Sequence, residues 1–301
     1  MKASVIRKLA RMAWLVSITC LAACGGDGVS AEPDVSAISV SAVKASASSS
    51  TLSPSAQALA PSRWMPAAAD TWQLQLTSAV NTNYPAQVFD IDLVDTPQAT
   101  INALKAQGKR VVCYFSAGSS ENWRPDFKQF AAADMGKALS GWAGERWLDT
   151  RSPNVRKIMR ARMDLAKSKG CDGVDPDNVD GYANKPGFPL TAATQLDYNR
   201  FLAAEAHARG LAVGLKNDVD QIGQLAAEFD FAVNEQCFQY KECATYTPFT
   251  AQGKAVFNVE YDSKYKDAAT RATLCASAKA AHLRTLVLPL NLDDAFRYAC
   301  D

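Results

Sequence analysis

Four polar side chains, Asp175, Asp177, Asn178 and Asp180, fall within six residues of the stretch Gly170-Cys171-Asp172-Gly173-Val174-Asp175-Pro176-Asp177-Asn178-Val179-Asp180-Gly181-Tyr182. So many carboxylates do not enter an ordinary core, because a buried charge has to be paired. Pro176 removes a backbone donor and biases Asp175 toward an extended conformation. The stretch therefore reads as a short strand that finishes with its side chains leaving for a cleft. Two other readings exist: a loop whose Asp and Asn residues cap the following turn, and a calcium loop of the Asp-x-Asp-x-Asp kind. Pro176 and the lack of a downstream Glu break the calcium spacing.

The rest of the chain narrows the chemistry. Only two histidines occur, His207 and His282, both in or at the end of helical segments. That argues against a Ser-His-Asp triad and against a histidine-rich metal site. No Cys-x-x-Cys pair is present for a structural zinc, so neither a metal nor a cofactor is expected. The general acids and bases that remain are Asp and Glu, the pair used in glycoside hydrolysis.

Carboxylates at a cleft need strands to deliver them. Apolar runs recur at Trp72 to Leu76, Val88 to Leu93, Arg110 to Phe115, Cys171 to Val174, Leu211 to Leu215, Phe229 to Val233, Ala255 to Val259 and Leu283 to Leu290. Helical segments lie between most of these eight candidate strands. Ser152-Pro153 is a cap followed by a first-turn proline, and Val155, Met159, Met163 and Ala166 share one stripe behind it. Asp218 with Gln221 resembles a capping box ahead of a helical face of Ile222, Leu225, Ala226 and Phe229. Gln107-Gly108, Lys169-Gly170, Arg209-Gly210 and Gln252-Gly253 each read as the left-handed cap that turns a helix back into a strand.

Eight buried strands alternating with helices predict a parallel (β/α)8 TIM barrel, with a doubly wound open sheet as the runner-up. No Gly-x-Gly-x-x-Gly follows any strand. The connection from Ala117 to Thr150 is long, carries Trp123, Trp142 and Trp147, and is expected to form a lid or a wall on the active-site face. In such a barrel the strand C-termini share one face. The residues ending the strands are Asp90 and Asp92, Tyr114 and Ser116, Asp175 and Asp177, Lys216 and Asn217, Asn234 and Glu235, Glu260 and Asp262, and Asn291. Alternation puts Asp175 and Asp177 on one face, Asp177 one step nearer the mouth, and by itself does not choose between them.

Ahead of the barrel, residues 1–23 read as an export signal. Lys2, Arg7, Lys8 and Arg11 precede a mostly apolar run from Met12 to Ala23, too short to span a bilayer. Its end, Leu21-Ala22-Ala23-Cys24, resembles the lipobox of bacterial lipoproteins, which makes Cys24 the expected lipidation site and the membrane a partner through an N-terminal lipid anchor in the cell envelope. Removing 1–23 takes away four basic residues and no acidic one, moving the net charge from +1 to −3. Nothing in that charge asks for nucleic acid. Residues 24–63 are mostly Ser, Ala, Gly and Pro and read as a disordered tether with a random-coil span of roughly 35 Å. Residues 64–301 suit one large domain, expected as a monomer.

Four motifs carry a family resemblance. Val112 to Ser119 (Val-Cys-Tyr-Phe-Ser-Ala-Gly-Ser), Gly173-Val174-Asp175-Pro176-Asp177-Asn178-Val179-Asp180, Leu215-Lys216-Asn217 and Asn234-Glu235-Gln236-Cys237 together resemble glycoside hydrolase family 114, TIM-barrel endo-α-1,4-polygalactosaminidases. The resemblance spans Trp72 to Asp301. It implies an endo-acting hydrolase of α-1,4-linked galactosamine chains with one Asp and one Glu at the reacting centre, which fall on Asp177 and Glu235. The residues agree on Glu235. Asp177 is assigned as nucleophile or base and Glu235 as general acid/base, with a lean toward retention; for Asp175, orienting a neighbour or binding a substrate amine stands beside a catalytic role. A deacetylated polymer carries ammonium groups that Asp90, Asp92, Asp180 and Glu260 are candidates to pair with, or else these acids form a network that fixes Lys216. Asn178, Lys216 and Asn217 complete the polar substrate-binding set, and Tyr114, Trp123, Tyr182 and Tyr240 are candidates to stack on sugar rings. Two alternatives remain: a barrel glycosidase acting on another amino-sugar polymer, and a non-catalytic polysaccharide-binding lipoprotein.

Six cysteines remain once Cys20 and Cys24 are set aside, and an even number in an exported chain suggests disulfides. Cys237 with Cys243 and Cys275 with Cys300 are the expected pairs. Cys113 and Cys171, on strands expected to be neighbours, are either a third bridge or buried thiols.

Overall fold

The computed structural model describes residues 63–301. The expected export signal, Cys24 and all but the last residue of the tether lie outside the described residues. Arg63, that last residue, bonds Asp230 at 2.6 to 3.1 Å.

All eight expected strands form. They are β1 (Trp72–Gln75), β2 (Val88–Asp92), β3 (Arg110–Ser116), β7 (Gly173–Asp177), β8 (Ala212–Lys216), β9 (Phe231–Glu235), β10 (Val256–Glu260) and β11 (Arg284–Val287). They pair in parallel in sequence order, which is the winding of a barrel; a doubly wound sheet would reverse its order partway. Between β11 and β1 the C-terminal segment takes the place of a ladder. The β12 strand (Tyr298–Ala299) pairs antiparallel to β11, Arg297 donates to the Trp72 carbonyl at 2.9 Å, and the Leu76 and Thr77 amides reach the Leu292 carbonyl at 3.2 and 3.1 Å.

The crossovers carry α1 (Gln98–Ala106), α2 (Pro153–Lys169), α3 (Ala192–Ala208), α4 (Ile222–Leu225), the short α5 (Cys237–Tyr240) and α6 (Thr247–Thr250), and α7 (Ala268–Ala280). Ser152 caps α2 by accepting from the Asn154 and Val155 amides, and Gly170 ends it at φ 82°, a left-handed geometry that a side chain would strain. The helix expected after Asp218 is a single turn: Gln221 makes no side-chain cap and Asp218 accepts from Asn199 at 2.9 Å instead. Its apolar face is nonetheless buried at Ile222, Leu225, Ala226 and Phe229.

Inside the barrel, Trp72, Leu74, Val88, Val112, Phe231, Val233, Phe257 and Val259 form a dry plug, with Trp72 stacked on Phe257 at 4.9 Å. The same faces of β2, β7, β8 and β9 then change character, presenting Asp90, Asp175, Asp177, Lys216 and Glu235 toward the strand C-termini. The plug supplies burial and the far ends are left for chemistry. The long insertion builds an antiparallel sheet in the order β4 (Ser119–Glu121), β6 (Glu145–Leu148), β5 (Met135–Ala138), packed on Leu139, Trp142 and Trp147. Three disulfides form: Cys237–Cys243, Cys275–Cys300 and Cys113–Cys171. The last settles the open question of those two thiols, since Cys113 and Cys171 come 6.1 Å apart at Cα, within bridging reach.

Candidate active site

Three consecutive strands leave the sheet in the same way. Asp177, Lys216 and Glu235 end β7, β8 and β9, and the residue after each, Asn178 (φ 61°), Asn217 (φ 50°) and Gln236 (φ 63°), is left-handed. This sharp turn stops each strand at its functional side chain, and two of the three sites use Asn, the residue that best tolerates it.

Lys216 is the hub. Its Nζ lies 3.2 Å from Asp175 Oδ2 and 3.7 Å from Asp177 Oδ1, and also 5.3 Å from the Tyr114 ring centroid. Burial alone would depress the ammonium, but Asp175, Asp177, Glu235 and Asp90 outweigh it and hold Lys216 above its ordinary value. Asp175 and Asp177 share this one ammonium. Among the described residues no group of three or more His, Cys, Asp and Glu side chains is placed to hold a metal ion.

Asp177 is fully buried and held on several sides. Tyr114 donates its hydroxyl to Oδ2 at 2.8 Å, the Asn178 amide donates to Oδ1 at 2.7 Å, and the Asn178 side chain reaches Oδ2 at 3.3 Å. Asp175 lies one layer deeper on the same face, opposite Tyr114 in register.

Glu235 is held differently. Tyr261 donates to Oε1 at 2.5 Å, and Asn217 donates to Oε2 at 3.3 Å while accepting from the Glu235 amide at 3.0 Å. Burial pushes the Glu235 carboxyl up; Lys216 opposes this, Asp177 adds to it, and the Tyr261 and Asn217 bonds offset part of it, leaving the carboxyl above its ordinary value. A carboxyl raised in this way keeps its proton to higher pH than an ordinary glutamate does, as a general acid must.

Other candidates are placed elsewhere. Asp92 is bound by Arg124 at 2.6 and 2.9 Å, and Glu121 shares the same guanidinium, so this acid anchors the insertion to β2. Asp180 begins the turn at Gly181–Ala183, where the Asn184 side chain bonds its carbonyl and carboxylate. Glu260 does not enter the mouth: Phe257 and Val259 point inward, so Glu260 points outward and accepts from the Phe238 amide at 2.9 Å. Tyr261, one residue on, takes the inward place. Asn234 also faces out, donating to the Tyr246 hydroxyl at 2.6 Å. Tyr182, in the turn after β7, and Tyr240, at the end of α5, are half-buried, and Trp123 is exposed on the insertion.

Asp90 differs from all of these. It is buried on the inner face of β2 beside Asp175, and neither of its oxygens receives a hydrogen bond among the described residues. Burial and the neighbouring Asp175 carboxylate drive it well above its ordinary range.

Tyr261 carries no signal in the sequence, because alternation places it on the face of Phe257 without saying which face of the strand turns inward. Replacing it by Phe is expected to cost roughly 10-fold in kcat, because a bond to an ionisable carboxyl is lost. That bond lowers the Glu235 pKa, so its removal raises it, and a rate that needs protonated Glu235 should keep its basic limb to higher pH. A pH–rate profile checks both.

An Asp and a Glu on strands flanking one lysine, at the C-terminal mouth of a parallel barrel, fit a glycosidase. Comparison with known proteins gives the same class and narrows it. The chain belongs to glycoside hydrolase family GH114, whose sequence profile matches residues 53–301. Ega3 of Aspergillus fumigatus, solved in complex with galactosamine, is 44% identical over 80% of this chain and 99% of its own, with a TM-score of 0.76. The glycoside hydrolase domain of PelA from Pseudomonas aeruginosa shares the fold at 15% identity and a TM-score of 0.60, over 75% of this chain and 96% of its own. Among curated proteins, none matches the chain.

Proposed function

We propose that this glycoside hydrolase cleaves within α-1,4-linked, galactosamine-containing polysaccharide, with Asp177 as nucleophile and Glu235 as general acid/base. Asp177 attacks the anomeric carbon as the glycosidic C–O bond breaks, and Glu235 gives its proton to the departing oxygen. Water, deprotonated by Glu235, then displaces Asp177 with net retention. Lys216 keeps charge near Asp177 balanced throughout.

The observation that carries the substrate class is Asp90. Of the four acids considered for ammonium recognition, Asp92, Asp180 and Glu260 are engaged elsewhere, and Asp90, buried beside Asp175, alone receives no hydrogen bond at either oxygen. A neutral sugar hydroxyl can satisfy one such carboxyl, but an ammonium also repays its ionisation. The galactosamine bound to Ega3 supports the same sugar class for this relative. Asp90→Asn is expected to lower kcat/KM on deacetylated polymer about 10–100-fold, with little change on the N-acetylated chain. Equal loss on both would assign Asp90 to the scaffold. Internal fragments from the parent chain test the endo mode; single sugars alone would reject it.

We also infer that the chain is exported and lipid-anchored at Cys24, a reading supported by the lipobox-like end of the signal and by three disulfides, which suit an oxidising compartment. Cys24→Ala is expected to move the protein from the membrane fraction to the soluble one. An unchanged distribution rejects the anchor.

A further inference from the structure

One buried acid near the mouth belongs to none of the motifs. Glu145 stands on β6 of the insertion, 3% exposed, and lines a groove of about 620 Å³ together with Trp123, Trp142, Asp92, Asp95 and the loop after β1. The three acids of this groove are unequal. Asp92 and Asp95 share Arg124, whereas Glu145 has no Lys or Arg partner among the described residues. Ser119 donates to its Oε2 at 2.8 Å.

The serine is also a link inward. Ser119 Oγ lies 2.7 Å from Ser116 Oγ, Ser116 Oγ accepts from the Asn178 side chain at 3.0 Å, and Asn178 donates to both Asp177 oxygens. Glu145 is thus joined by one continuous hydrogen-bond chain to the attacking carboxylate, although it comes from a different sheet. Beside it Trp123 is 44% exposed, and its ring is seated against Gly144, where an added Cβ would lie 3.0 Å from Cζ3 and 2.6 Å from Asn122 Oδ1. An exposed indole lining the same groove as a carboxyl with no basic partner among the described residues fits a sugar that stacks through one face and carries a cation.

We propose that the groove of Glu145, Trp123 and Trp142 is a second sugar-binding subsite, in which the Glu145 carboxylate pairs with the ammonium of the amino sugar adjoining the one at Asp177. The inference rests on the galactosamine-polymer reading above. In the free protein burial pushes Glu145 up to about 8, the Ser119 bond opposing and the Glu121 and Asp177 carboxylates adding to the rise. Below that pH the group holds a proton, which an arriving ammonium displaces. Deacetylated sugar therefore binds with proton release, and an N-acetylated one, which has no charge to offer, binds without it.

The test uses the full chain carrying Glu235→Gln, so that binding is measured without turnover, with and without Glu145→Gln. Calorimetry compares a deacetylated α-1,4-galactosamine oligomer with its fully N-acetylated counterpart at about pH 7 in buffers of different ionisation heat. Glu145→Gln should weaken the deacetylated oligomer by about 10-fold or more, leave the acetylated one nearly unchanged and reduce proton release. Trp123→Ala should weaken both alike, since stacking ignores the substituent. No loss, or equal loss on both oligomers from Glu145→Gln, overturns the subsite while leaving the hydrolase reading standing. A selective loss in a chain whose parent shows no turnover keeps the subsite and rejects the hydrolysis; no binding by any variant rejects both.

Discussion

Glu235→Gln and Asp177→Asn are each expected to lower kcat by about 10²–10⁴-fold on galactosamine polymer while leaving affinity nearly intact. Both changes keep the shape of the side chain, so the Asn217 contact to Glu235 and the Tyr114 contact to Asp177 have partners to adjust to. The two variants should separate on a substrate with a good leaving group. There the first step no longer needs a proton, so Glu235→Gln recovers much of that step, whereas Asp177→Asn stays slow because no bond to the anomeric carbon can form. Recovery by both, or by neither, would contradict the assigned roles. Loss of affinity instead of turnover would favour a polysaccharide-binding protein.

Lys216→Met is expected to act on the fold as much as on the reaction. The ammonium is buried against fully buried Asp175 and Asp177, and removing one member of such a group strands the others without compensation, at a cost of roughly 3–5 kcal/mol. Asp175 already sits above its ordinary value because burial outweighs the Lys216 attraction, and without Lys216 it must rise further. A carboxyl raised in the folded state binds more protons there than in the unfolded chain. Stability of the variant should therefore fall as pH rises above the ordinary carboxylate range and recover on acidification. Denaturant melts across pH check the slope, and adding Asp175→Asn should restore part of the loss. A variant as stable as the parent at every pH would show that the lysine is not the counter-charge described.

Much of this was legible in the linear chain because it is locally encoded. Eight apolar runs, the Ser152-Pro153 cap and the four glycine turns each depend on a few neighbouring residues, and all of them form. Asp175, Asp177, Lys216 and Glu235 could be read as strand ends because a parallel barrel collects its C-termini on one face.

The sequence by itself thus determined the barrel order, the glycosidase class and the residues able to reach the mouth. Tertiary structure decided which of them do. In Val256–Glu260 both alternating sets contain valine, so the linear pattern does not say that Phe257 faces in; packing on Trp72 does, and it turns Glu260 outward and Tyr261 inward. Asp90 and Asp92 are equivalent in sequence and differ only because Arg124, from a distant insertion, takes one and not the other. Glu145 carries no local sign of its place, since its link to Asp177 passes through two serines of one segment and an asparagine of another, both distant in the chain. Periodicity reports which face a strand buries, whereas the partner of a buried charge is set by whatever the folded chain brings within a few ångströms, and that is not a local property of the sequence.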